Sequence, residues 1–133
     1  MKEIKDSLPI YLGNDIVDEL VNNNNHLYRN EKISFISGDM LSTLKSLEDK
    51  SFDFIICRHT FEHLPTDYNV SVVNEIYRVG KMALITSNKN VGNSEVDFNG
   101  VLARGINLNS EPYFSILGNN TDVYDGNNFY IFK

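Results

Sequence analysis

Cysteine is almost absent from this chain of 133 residues, which contains only Cys57. A single cysteine cannot form an internal disulfide, and no spacing of Cys and His resembles that of a zinc site, so no metal is predicted. A reducing, cytoplasmic location is therefore expected. Because Cys57 lies inside an apolar run, we expect it to be a small buried side chain, with a reactive thiol as the alternative.

Positive charge and long apolar segments are also scarce. The chain has 12 Lys and Arg against 18 Asp and Glu, a formal net charge of −6, and no run of basic residues. A surface that binds nucleic acid needs clustered Lys and Arg, so nucleic acid is not the expected partner. No apolar stretch is long enough for a signal peptide or a membrane span, so no membrane association is predicted.

Glycine is missing from the pattern that binds phosphates, because the sequence contains no Gly-x-Gly. Close approach of a backbone to phosphate normally requires such a turn at a helix N-terminus. A Rossmann-like nucleotide binder is therefore an alternative that explains fewer of the residues described below.

Apolar segments typical of strands alternate with one-sided helical segments between residues 9 and 86. The predicted strands cover residues 9–17, 32–36, 52–57 and 81–86, and the predicted helices cover 18–28, 41–47 and 67–79. Such alternation predicts βαβ units with right-handed crossovers. We expect one α/β domain over residues 1–133, with a Rossmann-like, mostly parallel sheet and flanking helices.

The last third of the chain has weaker signals. Residues 88–105 are polar and rich in Gly and Asn, which predicts a loop. Residues 113–117 and 129–132 are β-prone and predict antiparallel C-terminal strands, with a turn at Asp125-Gly126 before the second of them.

The strand predicted over residues 52–57 ends in a cluster of ionisable groups. Its aromatic and β-branched composition predicts a central parallel strand that is buried on both faces. The residues that follow it include Arg58, His59, Glu62 and His63. Ligands in open α/β sheets bind beyond the carboxyl ends of the strands, so we expect a site at this corner.

Two acidic residues occupy equivalent positions after the preceding strands. Asp15 and Asp39 each lie near the carboxyl end of a predicted strand, as the Cys57-Arg58-His59 corner does. In a parallel sheet these ends share one edge, where an acid can accept hydrogen bonds from a ribose. For each aspartate considered alone, a helix N-cap or a turn is the alternative.

The corner also supplies candidate catalytic groups. His63 or His59 could act as a general base for a hydroxyl or amine substrate, since imidazoles exchange protons near neutral pH. The alternative is that His63 and Glu62 begin a helix or bond its backbone. Arg58 could hold a carboxylate or phosphate, or could form a salt bridge with a nearby acid.

In order and spacing, these segments resemble the class I S-adenosylmethionine-dependent methyltransferases. YLGNDIV is similar to that family's second strand, and ISFISGDM is similar to its third strand. FDFIICRHTFEHLP is similar to the fourth-strand motif, and VVNEIYRVGKMALIT is similar to the helix and strand that follow it. GINLNSEPYF is similar to a late segment of some small members. The resemblance implies S-adenosylmethionine as cofactor and methyl transfer to a small-molecule or polypeptide substrate.

The resemblance also implies roles for individual residues. Asp15 matches the acid that binds the ribose, and Asp39 matches the acid beside the adenine, with Met40 as its apolar neighbour. Cys57 and Arg58 fall at the fourth-strand position beside the cofactor.

The chain departs from the family at its N-terminus, where only residues 1–8 precede the second-strand match. The family's first strand and its Gly-rich turn are missing, so we expect an N-terminally truncated, incomplete domain. That strand lies between the second and fourth strands in the family, so these must pair directly or leave apolar edges open. A second copy or a partner chain could complete the sheet. The alternative function is a non-catalytic remnant that serves as a binding or oligomerisation module.

Overall fold

The computed structural model describes residues 10–87, 95–98, 101–104, 106–124 and 129–132. The chain forms two compact units, Met1–Ser46 and Leu47–Lys133. They are called the first unit and the second unit below, and each is described by itself.

The first unit contains a pair of parallel strands. Strand β1 (Tyr11–Asp15) runs parallel to β2 (Ile33–Ser37), with Tyr11 opposite Ile33 and Asp15 opposite Ser37. Helix α1 (Asp18–Tyr28) connects them, and α2 (Met40–Lys45) follows β2. Two acidic residues stabilise the first turn of α1, because the helix dipole favours negative charge there. The predicted β-α-β order of this region is confirmed.

The asparagine run does not end α1, which continues to Tyr28. The last of these residues, Asn25, uses its side-chain amide to bond the backbone of Phe35 twice. Its Nδ2 donates to the Phe35 carbonyl oxygen at 2.8 Å, and the Phe35 N–H donates to its Oδ1 at 3.0 Å. The amide thus occupies the edge of β2 at the position where a neighbouring strand would otherwise bond.

The first unit buries few apolar side chains. Among its described residues only Val21 and Leu44 are buried apolar side chains. Gly13 is also buried, and the ring of Phe35 lies over it, so a Cβ at position 13 would come within 2.4 Å of Phe35 Cδ1. Tyr11 contacts the same ring edge-on, with 5.7 Å between the ring centroids.

The second unit contains a four-stranded sheet with the order β3-β4-β8-β7. Strands β3 (Ile55–Arg58) and β4 (Ala83–Thr86) run parallel, and β8 (Phe129–Phe132) runs antiparallel to both β4 and β7 (Thr121–Tyr124). Between β3 and β4 the chain forms a 3₁₀ turn (Phe61–His63) and helix α3 (Thr66–Val79).

Most of the buried apolar side chains belong to this second unit. They are Cys57, Phe61, Val72, Val73, Ile76, Val79, Ala83, Ile85, Ile106, Leu108, Tyr113 and Leu117. Those of α3 recur at helical spacing, so one face of the helix packs inward, as the sequence predicts. Lys50 holds the end of α3, because its Nζ donates to the carbonyl oxygens of Tyr77 at 2.6 Å and Gly80 at 2.9 Å.

Strand β3 is not buried on both faces, which corrects the prediction for residues 52–57. Ile56 is 62% exposed and Phe54 is 46% exposed, while Cys57 is buried. The strand also begins later than predicted, at Ile55, with Phe52 making a separate parallel bridge to Gly80. Successive side chains of a strand point to opposite faces of the sheet, so the face that bears Phe54 and Ile56 is exposed while the face that bears Cys57 is covered. In the described sheet β3 has a partner strand on one side only.

Two predictions for the last third of the chain are wrong in part. Within the predicted loop 88–105, β5 (Glu95–Phe98) and β6 (Val101–Arg104) form an antiparallel pair; the remainder of that loop lies outside the described residues. Residues 113–117 are not a strand, because Phe114–Leu117 forms the short helix α4. The predicted turn at Asp125-Gly126 also lies outside the described residues.

Within the described ranges, none of the helices combines the length and the apolar character needed to cross a bilayer.

Candidate functional site

The predicted site residues divide between the two units. Asp15, Asp39 and Met40 belong to the first unit, and Cys57, Arg58, His59 and His63 belong to the second. Each group is described within its own unit.

In the first unit, both aspartates lie at the carboxyl edge of the β1–β2 pair. Asp15 is the last residue of β1, and Asp39 comes two residues after β2, beyond the turn at Gly38. Gly38 has a φ of 138°, a conformation that glycine adopts at little cost, and its N–H donates to the Asp15 carbonyl oxygen at 3.1 Å. The sequence prediction that these two acids follow neighbouring parallel strands therefore agrees with the strand register.

Both carboxylates also bond the local backbone. Asp15 Oδ1 accepts a hydrogen bond from the Val17 N–H at 2.9 Å, which forms a turn before α1. Asp39 is the N-cap of α2, where its Oδ1 accepts from Leu41 at 3.1 Å and Ser42 at 3.2 Å. The capping and turn roles considered from the sequence are therefore present, and a ligand role remains a prediction.

Asp15 nevertheless retains the chemistry that a ribose requires. An ionised carboxylate has about four lone-pair sites, and the Val17 bond uses one of them. The residue is exposed at the strand end. An adenosyl group therefore fits the donor and acceptor chemistry of Asp15, and the half-buried Met40 at the start of α2 offers an apolar neighbour.

Sequence reasoning missed the residue that fixes this edge. The Asn14 Nδ2 lies within hydrogen-bond distance of the carbonyl oxygens of Ile36 at 3.3 Å and Gly38 at 3.2 Å, and of Thr43 Oγ1 at 3.1 Å. The amide thus ties β1 to the loop after β2 and to α2. An asparagine beside the predicted acid was the signal available in the sequence, since Asn favours such bonds to local backbone.

In the second unit, the candidate residues lie at the end of β3 and directly after it. Cys57 is buried within the strand, as predicted, and burial raises the pKa of its thiol from 9.0 to about 11. A hydrogen bond with Thr60 lowers this pKa and the nearby charge of Glu62 raises it again. At neutral pH Cys57 is therefore a thiol and not a thiolate, which argues against the reactive alternative.

Arg58 ends β3 and is exposed. Its carbonyl oxygen accepts a hydrogen bond from Thr60 Oγ1 at 3.0 Å. Within the described part of the second unit, no salt bridge joins Arg58 to Glu62, whose carboxylate lies beside His59. The predicted cofactor contact of Arg58 stays a prediction.

His59 has a left-handed backbone that its surroundings hold in place. Its φ is 47°, which costs a non-glycine residue free energy. Its N–H points toward β4 and lies 3.0 Å from the Thr86 carbonyl oxygen and 3.2 Å from Thr86 Oγ1. The strand pair therefore fixes the position of this histidine.

The side chain of His59 bonds the buried carboxylate of Glu62. His59 Nδ1 lies 3.0 Å from Glu62 Oε1; the His59 side chain is 50% exposed and that of Glu62 is 2% exposed. The second oxygen, Oε2, is buried and has no hydrogen-bond partner among the described residues. In the sequence, Glu62 was interpreted as one of four ionisable groups and, with His63, as the start of a helix or a partner of its backbone. Its spacing of three residues from His59 was the available signal for this pair.

His63, the other candidate base, lies at the end of the 3₁₀ turn and is exposed. Its N–H donates to the Thr60 carbonyl oxygen at 3.3 Å. The buried Asn69 of α3 supports this turn, because its Nδ2 donates to the carbonyl oxygen of Phe61 at 2.9 Å. The turn thus holds Glu62 within reach of His59.

No group of three or more His, Cys, Asp or Glu side chains in the described ranges is arranged to hold a metal ion. The arrangement offers hydrogen-bond acceptors at one strand edge and an imidazole bonded to a carboxylate at another.

Comparison with known proteins places the chain in a family. No curated protein matches the chain. The fold is similar to the crystal structure of a SAM dependent methyltransferase from Archaeoglobus fulgidus, with a TM-score of 0.53 and 22% sequence identity. That match covers 68% of this chain and 40% of the other, so this chain spans less than half of that structure's length. The family model described as "Methyltransferase domain" matches residues 2–83, more than half of the 133 residues. The chain therefore belongs to this methyltransferase domain family.

Proposed function

We propose that the chain binds S-adenosylmethionine and takes part in methyl transfer to a small-molecule or polypeptide substrate. The observation that carries this proposal is the position of Asp15 and Asp39 at the carboxyl edge of one parallel strand pair. Methyl transfer requires mainly that the reactants be held and oriented.

The family resemblance and the geometry of the first unit support the proposed contacts of the cofactor. Asp15 accepts hydrogen bonds from the ribose hydroxyls with the lone pairs that the Val17 bond leaves. Met40 packs against the adenine, and Asp39, held by the backbone of α2, accepts from the adenine amino group. When bound, S-adenosylmethionine supplies an electrophilic methyl group on a sulfonium sulfur.

Titration calorimetry with S-adenosylhomocysteine tests the proposal. Asp15→Ala removes a charged acceptor, and hydrogen bonds to charged groups contribute about 1.5–3 kcal/mol, so we expect an affinity loss of about tenfold or more. Asp18→Ala is the matched control, because Asp18 is an exposed acid three residues away in the first turn of α1. Absence of binding by the folded wild-type chain, or equal affinities for both variants, would refute the cofactor role.

A second candidate function is assembly through β3, favoured by its exposed edge. The N–H groups of Ile55 and His59 point toward β4, so the N–H and C=O of Ile56 point away from it. The exposed Ile56 and Phe54 side chains flank this edge. An extended apolar segment from a second copy or a partner chain would satisfy both the backbone and the side chains.

Light scattering at increasing protein concentration tests the self-assembly form of this function. A dimer that Ile56→Lys dissociates would support pairing of two copies at β3. A monomer at all concentrations would exclude pairing of two copies and leave a partner chain, to be tested by adding an extended apolar peptide. Assembly by a chain that does not bind the cofactor would support the alternative function, a non-catalytic binding or oligomerisation module.

A further inference from the structure

We propose that His59 is the general base of this protein and that Glu62 is the residue that positions it. The substrate would then be a hydroxyl or amine compound, whose nucleophilic atom carries a proton at neutral pH. The inference rests on the proposed methyl transfer and deepens it, because it decides between two histidines and names a substrate class.

The contact between the two side chains supports an assignment of the hydrogen of His59. Glu62 accepts when its carboxylate is ionised, and Nδ1, 3.0 Å from Oε1, is then the donor. The neutral ring then has an unprotonated Nε2, which is an acceptor. A carboxylate that fixes an imidazole tautomer in this way is a general device for making a base.

The two side chains of this pair differ in burial. Glu62 is 2% exposed, whereas half of the His59 side chain is exposed, so the carboxylate holds the ring from the interior and the ring faces outward. The other Glu62 oxygen has no hydrogen-bond partner among the described residues. A buried carboxylate with a single described partner is expensive to maintain for structure alone, which favours a functional role.

The backbone at His59 supports the same conclusion. A φ of 47° in a non-glycine residue costs free energy, and such residues concentrate at functional sites. The conformation is held from β4 by two contacts with Thr86 and permits the ring to reach Glu62 three residues later. His63, the other candidate, lies at the end of the same turn.

The chemical step balances without a further reactant. The proton of the substrate O–H or N–H moves to Nε2 of His59, and the electron pair it leaves forms the new bond to the methyl carbon. The bond between that carbon and the sulfonium sulfur breaks, and its electron pair remains on sulfur. Proton removal by a positioned base contributes about 100-fold or more to such a step. A thiolate nucleophile carries no proton and needs no base.

The first test measures the tautomer of His59 in the ligand-free chain by long-range ¹H–¹⁵N correlation, at a pH where the ring is neutral. The chain has only three histidines, so His26→Gln and His63→Gln assign the spectra. We expect hydrogen on Nδ1 of His59. In Glu62→Gln we expect a mixture of tautomers, because an amide can donate to Nδ1 as well as accept from it. Hydrogen on Nε2 in the wild-type chain would overturn the proposal, even if Glu62→Gln fails to fold.

The second test compares methyl transfer from S-adenosylmethionine to two probes, a phenol and an aromatic thiol that is ionised at neutral pH. We expect His59→Gln and Glu62→Gln to slow transfer to the phenol by about 100-fold relative to the thiolate. A merely structural role would slow both probes equally. His26→Gln is the control, and selective loss with His63→Gln would assign the base to His63 instead.

Failure of the base proposal and failure of the proposed function give different results. If the wild-type chain binds no S-adenosylhomocysteine, the proposed function fails, whatever the tautomer of His59. If the chain binds it and methylates the thiolate but not the phenol, the base proposal fails and the proposed function stands.

Discussion

Asn25 is predicted to stabilise the first unit by acting as a substitute for a neighbouring strand. Its side chain makes two hydrogen bonds to the backbone of Phe35, at 2.8 and 3.0 Å. Each such bond contributes about 0.5–1.5 kcal/mol net, so the pair contributes about 1–3 kcal/mol. Asn25→Ala removes both, but alanine is the better helix former by about 0.5 kcal/mol. The expected net loss in the free energy of unfolding is therefore about 0.5–2.5 kcal/mol.

The neighbouring asparagines provide a matched control. Asn23 lies in the same helix two residues earlier and is exposed. Asn23→Ala gains the same helix propensity without losing the contact, so it should stabilise the chain by about 0.5 kcal/mol. The two variants should therefore differ by about 1–3 kcal/mol in urea unfolding.

Hydrogen exchange measured by NMR locates the effect. The Phe35 amide donates to the Asn25 side chain, whereas the Tyr11 amide donates to the Lys32 carbonyl oxygen at 2.7 Å in the strand pair. In Asn25→Ala we expect the increase in the exchange rate of the Phe35 amide to be at least about tenfold larger than the increase at the Tyr11 amide. Equal stabilities for the two alanine variants, or parallel changes at both amides, would refute the reasoning.

Two further predictions concern Gly13 and Cys57. Gly13→Ala should lower the free energy of unfolding by about 1–3 kcal/mol, because the new Cβ would meet the Phe35 ring. In a double-mutant cycle of urea unfolding, Phe35→Leu should reduce this loss, and additive effects of the two substitutions would contradict the contact. Burial raises the pKa of the Cys57 thiol from 9.0 to about 11, so the folded state keeps this proton longer than the unfolded state. The stabilisation is complete below about pH 9 and lost as the pH rises through about 11; two pKa units at about 1.36 kcal/mol each correspond to about 2.7 kcal/mol. Between about pH 9 and 11, the free energy of unfolding of Cys57→Ala should fall less steeply than that of the wild-type chain. Parallel curves for the two proteins would contradict the raised pKa of Cys57.

Local sequence patterns predicted the elements whose formation depends on local chemistry. Helix α1 occupies the predicted range, because its acidic first turn is formed by residues that are adjacent in the sequence. Helix α3 was predicted in the same way from the helical spacing of its apolar residues. The short helix α4 was mistaken for a strand. It has only four residues, so β-prone aromatic composition could not reveal a turn in which the Phe114 N–H bonds the Ser110 carbonyl oxygen.

Properties that depend on distant partners could not be read in the same way. An apolar run such as residues 52–57 has the same appearance whether one or both faces of its strand are covered, so the exposure of Ile56 could not be predicted. Asn25 likewise has no periodic signature, because an amide that bonds a strand edge resembles any other asparagine in a helix. The strand-end acids were predictable because parallel strands share their carboxyl edge by geometry.

The corner after β3 shows why ionisable residues alone do not define a mechanism. Arg58, His59, Glu62 and His63 are close in the sequence, and several pairings are compatible with their order. The pairing is decided by the left-handed backbone of His59 and by the 3₁₀ turn, which together place Glu62 in the interior beneath the imidazole. Both depend on β4, through Thr86, and on α3, through Asn69. Whether this imidazole can remove a proton is therefore a property of the second unit as a whole, and it can be tested in the ligand-free chain before any substrate is known.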